Sequence, residues 1–151
     1  MAFSTVAKIR QGAGFVNNDN ITDANITTLQ SRAFNLIKSY VGARYDLNDL
    51  TGALFSGSPA DEILKGLEEL LAGGYLLLDE YGPNVDGDKN GQKKIDAAMK
   101  MLDDIKLGRM KLFDVNNDEI GSPQANRSVP ISDTFPSTDD SPRKFSVDDE
   151  F

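Results

Sequence analysis

The stretch Ser58–Pro83, SPADEILKGLEELLAGGYLLLDEYGP, decides how this chain folds. Ser58 followed by Pro59 is a helix start: a short hydroxyl side chain that can satisfy an orphan N–H, then a residue whose missing N–H costs nothing at the first helical position. Asp61 and Glu62 fall in the first turn, where the helix dipole favours negative charge. Ile63, Leu64, Leu67, Leu70 and Leu71 recur at three- and four-residue steps and form one apolar stripe. Gly73-Gly74 interrupts the run and permits two readings, a helix that ends there or one that continues. Leu71, Tyr75, Leu78 and Tyr81 keep the spacing, so the helix is predicted to run on to Glu80. The glycines then admit a neighbouring helix at close range. Gly82-Pro83 stops it.

Working outward, an upstream helix is predicted from Asp23 to Tyr45, capped by Thr22. Ile26, Leu29, Ala33, Leu36, Ile37, Tyr40 and Val41 form its stripe, with Gly42 an interior weakness of about 1 kcal/mol relative to Ala. A downstream helix is predicted from Gln92 to Leu107 on Ile95, Ala98, Met99, Leu102 and Ile105, with Gly108 as the residue just past its end. Val6 and Ile9 suggest a short helix before a Gly- and Asn-rich turn. Residues 109–115 read as a short strand or extended segment. Beyond Asn116 no helical period survives, and four of the six prolines fall there (Pro123, Pro130, Pro136, Pro142). The expected fold is therefore all-α, a small bundle of three to four helices with a long extended C-terminal tail. Its parts are an N-terminal arm (1–20), a helical body (21–113) and a tail (114–151).

Composition removes whole classes of chemistry. The 151 residues contain no cysteine and no histidine, so disulfides, thiolate nucleophiles, Ser-His-Asp triads and the commonest metal ligands are absent. The net charge of −8 argues against gripping nucleic-acid phosphates, which needs clustered Lys and Arg. The charge is uneven: residues 114–151 hold nine acidic and three basic side chains, whereas residues 1–113 are nearly balanced. No apolar run is long enough to span a bilayer, and residues 1–10 lack the pattern of a signal peptide. The expectation is a non-enzymatic protein with no cofactor, no metal and no membrane. Within the tail, Ile131, Phe135, Phe145 and Phe151 stand out as large apolar residues in polar surroundings, suited to anchoring a strap on a partner's surface.

Two local patterns invite chemistry. Asp86-Gly87-Asp88-Lys89-Asn90-Gly91 fits the opening of an EF-hand calcium loop, but the twelfth position, which should be a bidentate Glu, is Ala97. A calcium-binding helical interaction module using residues 86–97 is the alternative function; a solvated Asp/Asn/Gly turn is the plainer reading. The pairs Glu68/Glu69 and Asp103/Asp104 could suggest acid–base work, but are expected on solvated helix faces. Tyr45 reads as a packing residue and Arg44 as a cation at a helix end.

The order of several segments resembles that of head–tail connector (adaptor) proteins of tailed bacteriophages. They are Asn20-Ile21-Thr22-Asp23-Ala24 at a helix start, Tyr40-Val41-Gly42-Ala43-Arg44-Tyr45-Asp46-Leu47 at its close, and Glu69-Leu70-Leu71-Ala72-Gly73-Gly74-Tyr75-Leu76-Leu77 in the second helix. Glu80-Tyr81-Gly82 and the run from Ile105 to Leu112 follow. The resemblance covers Phe15 to Asp114 and rests on order and spacing. It implies a structural virion protein of the neck, made in the host bacterial cytoplasm. Its subunits would form a homo-oligomeric ring, typically dodecameric, beneath the portal protein and join capsid to tail. Its partners would be the portal and other neck, stopper or tail proteins, with DNA passing through unbound.

Overall fold

A computed structural model describes residues 2–16, 20–84 and 86–121 of the chain. Among the described residues four α-helices make up the body, α1 (Val6–Gly12), α2 (Asp23–Val41), α3 (Pro59–Tyr81) and α4 (Gly91–Lys106), with a 3-10 turn at Gly87–Lys89. The fold is all-α; among the described residues the only β-type pairing is one isolated antiparallel bridge between Phe113 and Glu119. No described helix is long and apolar enough to cross a membrane.

Each helix begins on a short polar side chain that accepts from the backbone N–H three residues on. Thr5, Thr22, Ser58 and Asn90 accept from Lys8, Asn25, Asp61 and Lys93 respectively, which removes one orphan donor per helix. Helix α3 runs unbroken through Gly73-Gly74. It lies at the centre and contacts α1, α2 and α4. Leu64, Leu67, Leu71, Leu76 and Leu77 are at most 2% exposed, each side chain contributing about 1.5–3 kcal/mol of burial.

The two glycines of α3 serve different neighbours. A Cβ on Gly74 would stand 2.7 Å from Ile95 Cγ1 and 2.9 Å from the Gly91 carbonyl oxygen of α4, so the helices meet backbone to backbone there. A Cβ on Gly73 would face α1 and meet Ala13 Cβ at 3.8 Å, an ordinary contact.

Three expectations are corrected. Helix α2 ends at Val41, not Tyr45, and Gly42 is its C-cap rather than an interior residue. A Gly42 Cβ would press on the Lys38 carbonyl in the last turn of α2 at 2.8 Å and, where the chain folds back, on Leu47 Cδ1 at 3.3 Å. The amides of Ala43 and Arg44 then bond to carbonyls three residues back, a tightening that closes the helix. Glu68 does not lie on a solvated face: it is fully buried. Nor is Arg44 simply an end-of-helix cation, since it pairs with Glu119. In the stretch expected as an arm, α1 packs on α3 with Ile9 fully buried. Past residue 113, Ile120 is buried against the body as well.

Candidate functional site

The expected partner-binding anchors, Ile131, Phe135, Phe145 and Phe151, lie outside the described residues. The structure does define the ground from which that tail departs. After α4, Gly108 takes a positive φ of 74° that only glycine adopts without strain, and residues 109–121 cross back to the end of α2. Tyr45, 1% exposed, accepts at its hydroxyl a hydrogen bond from the Leu112 N–H at 3.1 Å. The Ile120 N–H donates to the Leu112 carbonyl at 2.9 Å, and the Asp46 N–H donates to the Gly121 carbonyl at 3.2 Å. The Ala60 N–H, at the start of α3, donates to the Phe113 carbonyl at 3.1 Å. A chain segment without helix or sheet thus pairs backbone groups with Tyr45 and Asp46, with the start of α3 and with itself, as buried backbone requires.

Charge reinforces this clasp. Glu119 receives Lys111 Nζ at 2.6 Å and Arg44 Nη2 at 3.2 Å. Lys111 first, then Arg44, holds the Glu119 carboxyl below the usual carboxylate range. Hydrogen bonds to Tyr45 and Glu119 raise the Arg44 guanidinium in turn. Two stretches singled out in the sequence, Tyr40–Leu47 and Ile105–Leu112, therefore meet in space: Tyr45 bonds Leu112, and Arg44 packs where a side chain on Gly108 would stand.

Beside the clasp lies an open apolar groove of about 500 Å³, bounded by the start of the chain, α2, the 42–58 loop and the first turns of α3. Phe3 lies 5.1 Å from Phe34 and 6.2 Å from Phe55, ring centre to ring centre. Lys38 and Lys65 stand among its lining residues. Phe3, Phe34 and Phe55 are 31 and 21 positions apart, so no local pattern could have exposed the groove.

The loop at Asp86 is built differently from a calcium site. In an EF-hand the sixth residue turns inside the loop and ligands follow at the seventh, ninth and twelfth positions. Here the sixth residue, Gly91, is the first residue of α4 and packs against Gly74. The Asn90 side-chain oxygen is occupied in capping α4, accepting from the Lys93 N–H at 3.0 Å. Among the described residues no three acidic, His or Cys side chains cluster as a metal ion would need.

Of the carboxylate pairs, Asp103 and Asp104 follow expectation: Asp103 is exposed, and Asp104 binds Arg109 at 2.7 Å at the surface. Glu68 is the exception. Its Oε2 accepts from the Ser4 N–H at 2.5 Å and from Gln30 Nε2 at 3.4 Å. Burial pushes its carboxyl above the usual range, while the bonds to the start of the chain and to Gln30 oppose that rise. Gln30 also donates to the Ser4 carbonyl at 2.8 Å. Glu68 thus ties the beginning of the chain to α2 and α3, a structural role that the amphipathic pattern concealed. No family model, no curated protein and no solved structure matches this chain.

Proposed function

We propose that this chain is a structural subunit of a tailed-bacteriophage neck, a head–tail connector that assembles as a ring beneath the portal and joins capsid to tail. The observation that carries the proposal is the ordered series of segments from Asn20–Ala24 to Ile105–Leu112. The geometry supports an architectural role for these segments. Thr22 caps α2, Tyr45 and Leu112 close the clasp, and Gly74 sets the α3–α4 distance. An acidic tail with spaced Phe residues leaves a folded body at a fixed point, Gly121, and suits a strap that engages the portal or the next neck protein. In this reading the ring lies in the virion neck and its acidic or neutral surface lets DNA pass without retention.

The test is negative-stain electron microscopy of the protein mixed with portal rings of the same phage. The expected result is a ring of added density on the tail-side face of the portal. Bare portals at micromolar protein would overturn the proposal. The informative truncation removes residues 122–151 and keeps Glu119, Ile120 and Gly121, which belong to the clasp. It should lose attachment while keeping the helical circular-dichroism signal.

A further inference from the structure

The groove at Phe3, Phe34 and Phe55 has three aromatic side chains on its floor and no element of the described body laid over it. Phe55 is largely buried, but Phe3 and Phe34 are only half-buried, so apolar surface remains open to water. Cation and apolar surface come together here: Lys38 Nζ sits 5.4 Å from the centre of the Phe34 ring, and Lys65 stands at the α3 side. Asp61, which also lines the groove, is occupied: its Oδ2 accepts from the Gly57 N–H and from Lys65 Nζ, each at 2.8 Å. Glu62 also binds Lys65, at 3.0 Å.

The point of departure of the tail narrows the choice of occupant. The Gly121 carbonyl is held by the Asp46 N–H, and a side chain on Gly121 would stand 2.6 Å from Asp49 Oδ2. Both residues belong to the loop that walls the groove, and Thr51 lines both the groove and the hollow that receives Glu119, Ile120 and Gly121. Thirty residues follow Gly121. The 24 residues from there to Phe145 can span up to roughly 80 Å when extended, far more than one loop of this body. Residues 145–151 read Phe-Ser-Val-Asp-Asp-Glu-Phe. They offer two phenylalanines and a valine to an aromatic floor, and three successive carboxylates to Lys38, since Lys65 is already bridged to Asp61 and Glu62. The earlier apolar stretch, Ile131 to Phe135, carries one carboxylate.

We infer that the groove is the docking site for this chain's own residues 145–151, with Phe145 or Phe151 seated against Phe3 and Phe34 and the Asp148–Glu150 carboxylates beside Lys38. Tethering makes this an intramolecular event, for which effective concentrations reach the millimolar range, so modest contacts suffice. The inference concerns the isolated chain and stands whether or not the neck assignment does.

The absence of native cysteine allows a direct test. Ser56→Cys places a thiol at the exposed rim of the groove and Ser146→Cys places one between the two tail phenylalanines. Disulfide formation in the full-length double variant is compared with a control pairing Ser146→Cys with Lys100→Cys on α4, which contributes nothing to the groove. Circular dichroism confirms that both fold. The expected result is an intramolecular crosslink at least tenfold faster than the control. Its rate should be independent of protein concentration and should fall about tenfold on adding Phe145→Ala and Phe151→Ala. Equal rates for the two pairs would overturn the inference. A crosslink that forms only between molecules, rising with concentration, would overturn it in favour of a second copy's tail. A rate unmoved by the two Phe substitutions would overturn the assignment of residues 145–151.

Discussion

Helix α3 meets its neighbours through two kinds of seam, and they differ in what they tolerate. Along its C-terminal half, Gly74 faces Gly91 of α4 with no side chain between the two backbones. Along its N-terminal half, the same helix buries a carboxylate, Glu68, against Ser4 and Gln30. The first seam holds its position by shape, because two backbones in contact cannot interpenetrate. The second holds by hydrogen bonds that must offset the cost of removing a charge from water. Shape fails steeply when an atom is added; the polar seam responds to protons.

The largest effect should come from a single methyl group on the dry seam. Gly74→Ala puts a carbon 2.7 Å from Ile95 Cγ1 and 2.9 Å from the Gly91 carbonyl, so α4 must move. A cost of about 1–3 kcal/mol is expected, read as a lower urea midpoint. Gly73→Ala, one residue away, meets nothing closer than 3.8 Å and should be neutral or stabilising by up to about 1 kcal/mol through helix propensity. Opposite signs at adjacent glycines would sharpen the contrast. Equal effects would show that the α3–α4 approach is not close.

These seams also mark how far the sequence could be read. The start of α3 at Ser58-Pro59, the stop at Gly82 and the turn at Gly108 were legible from residues suited to helix starts and ends; the passage through Gly73-Gly74, which admitted two readings, was legible only from the apolar spacing kept on either side. The end of α2 was not. Tyr40, Val41 and Tyr45 keep helical spacing, yet the chain leaves the helix at Gly42, and Tyr45 is buried by residues 109–120 folding over it, a contact some 67 positions distant. Glu68 was misread for the same reason: a charged residue in an amphipathic pattern is assigned to solvent, and only the return of Ser4, 64 positions earlier, encloses it. Candidate anchors could be chosen from composition, but Phe3, Phe34 and Phe55 form a groove only once three separate segments are brought together.

The polar seam should reveal itself through pH. Burial raises the Glu68 carboxyl above its ordinary value. Between the ordinary and the raised value, the folded chain keeps a proton that the unfolded chain has lost. This site's contribution to stability is therefore greatest below the ordinary carboxylate range, falls as pH rises through the folded value, and stays low above it. Glu68→Gln, nearly the same shape without the charge, removes that dependence. The variant should gain on the wild type between pH 4 and pH 7 in paired urea titrations. A difference that stays flat across that range would mean that Ser4 and Gln30 fully compensate the charge, and the seams would differ less than their chemistry suggests.

The smallest effect belongs to the outer edge of the same seam. Ser4 Oγ donates to Glu69 Oε1 at 2.6 Å, next to the buried bond between the Ser4 N–H and Glu68. Ser4→Ala deletes the first bond and leaves the second, which comes from the backbone. Both partners are only half-buried, so water can replace the lost donor, and the cost should be about 0.5–1.5 kcal/mol. The decisive reading is the combination with Glu68→Gln. If the hydroxyl serves only Glu69, the two changes add, as independent sites do. If it positions the Ser4 N–H over Glu68, the double variant departs from the sum, and the start of the chain is held to α3 by a coupled pair of bonds rather than by the buried one alone.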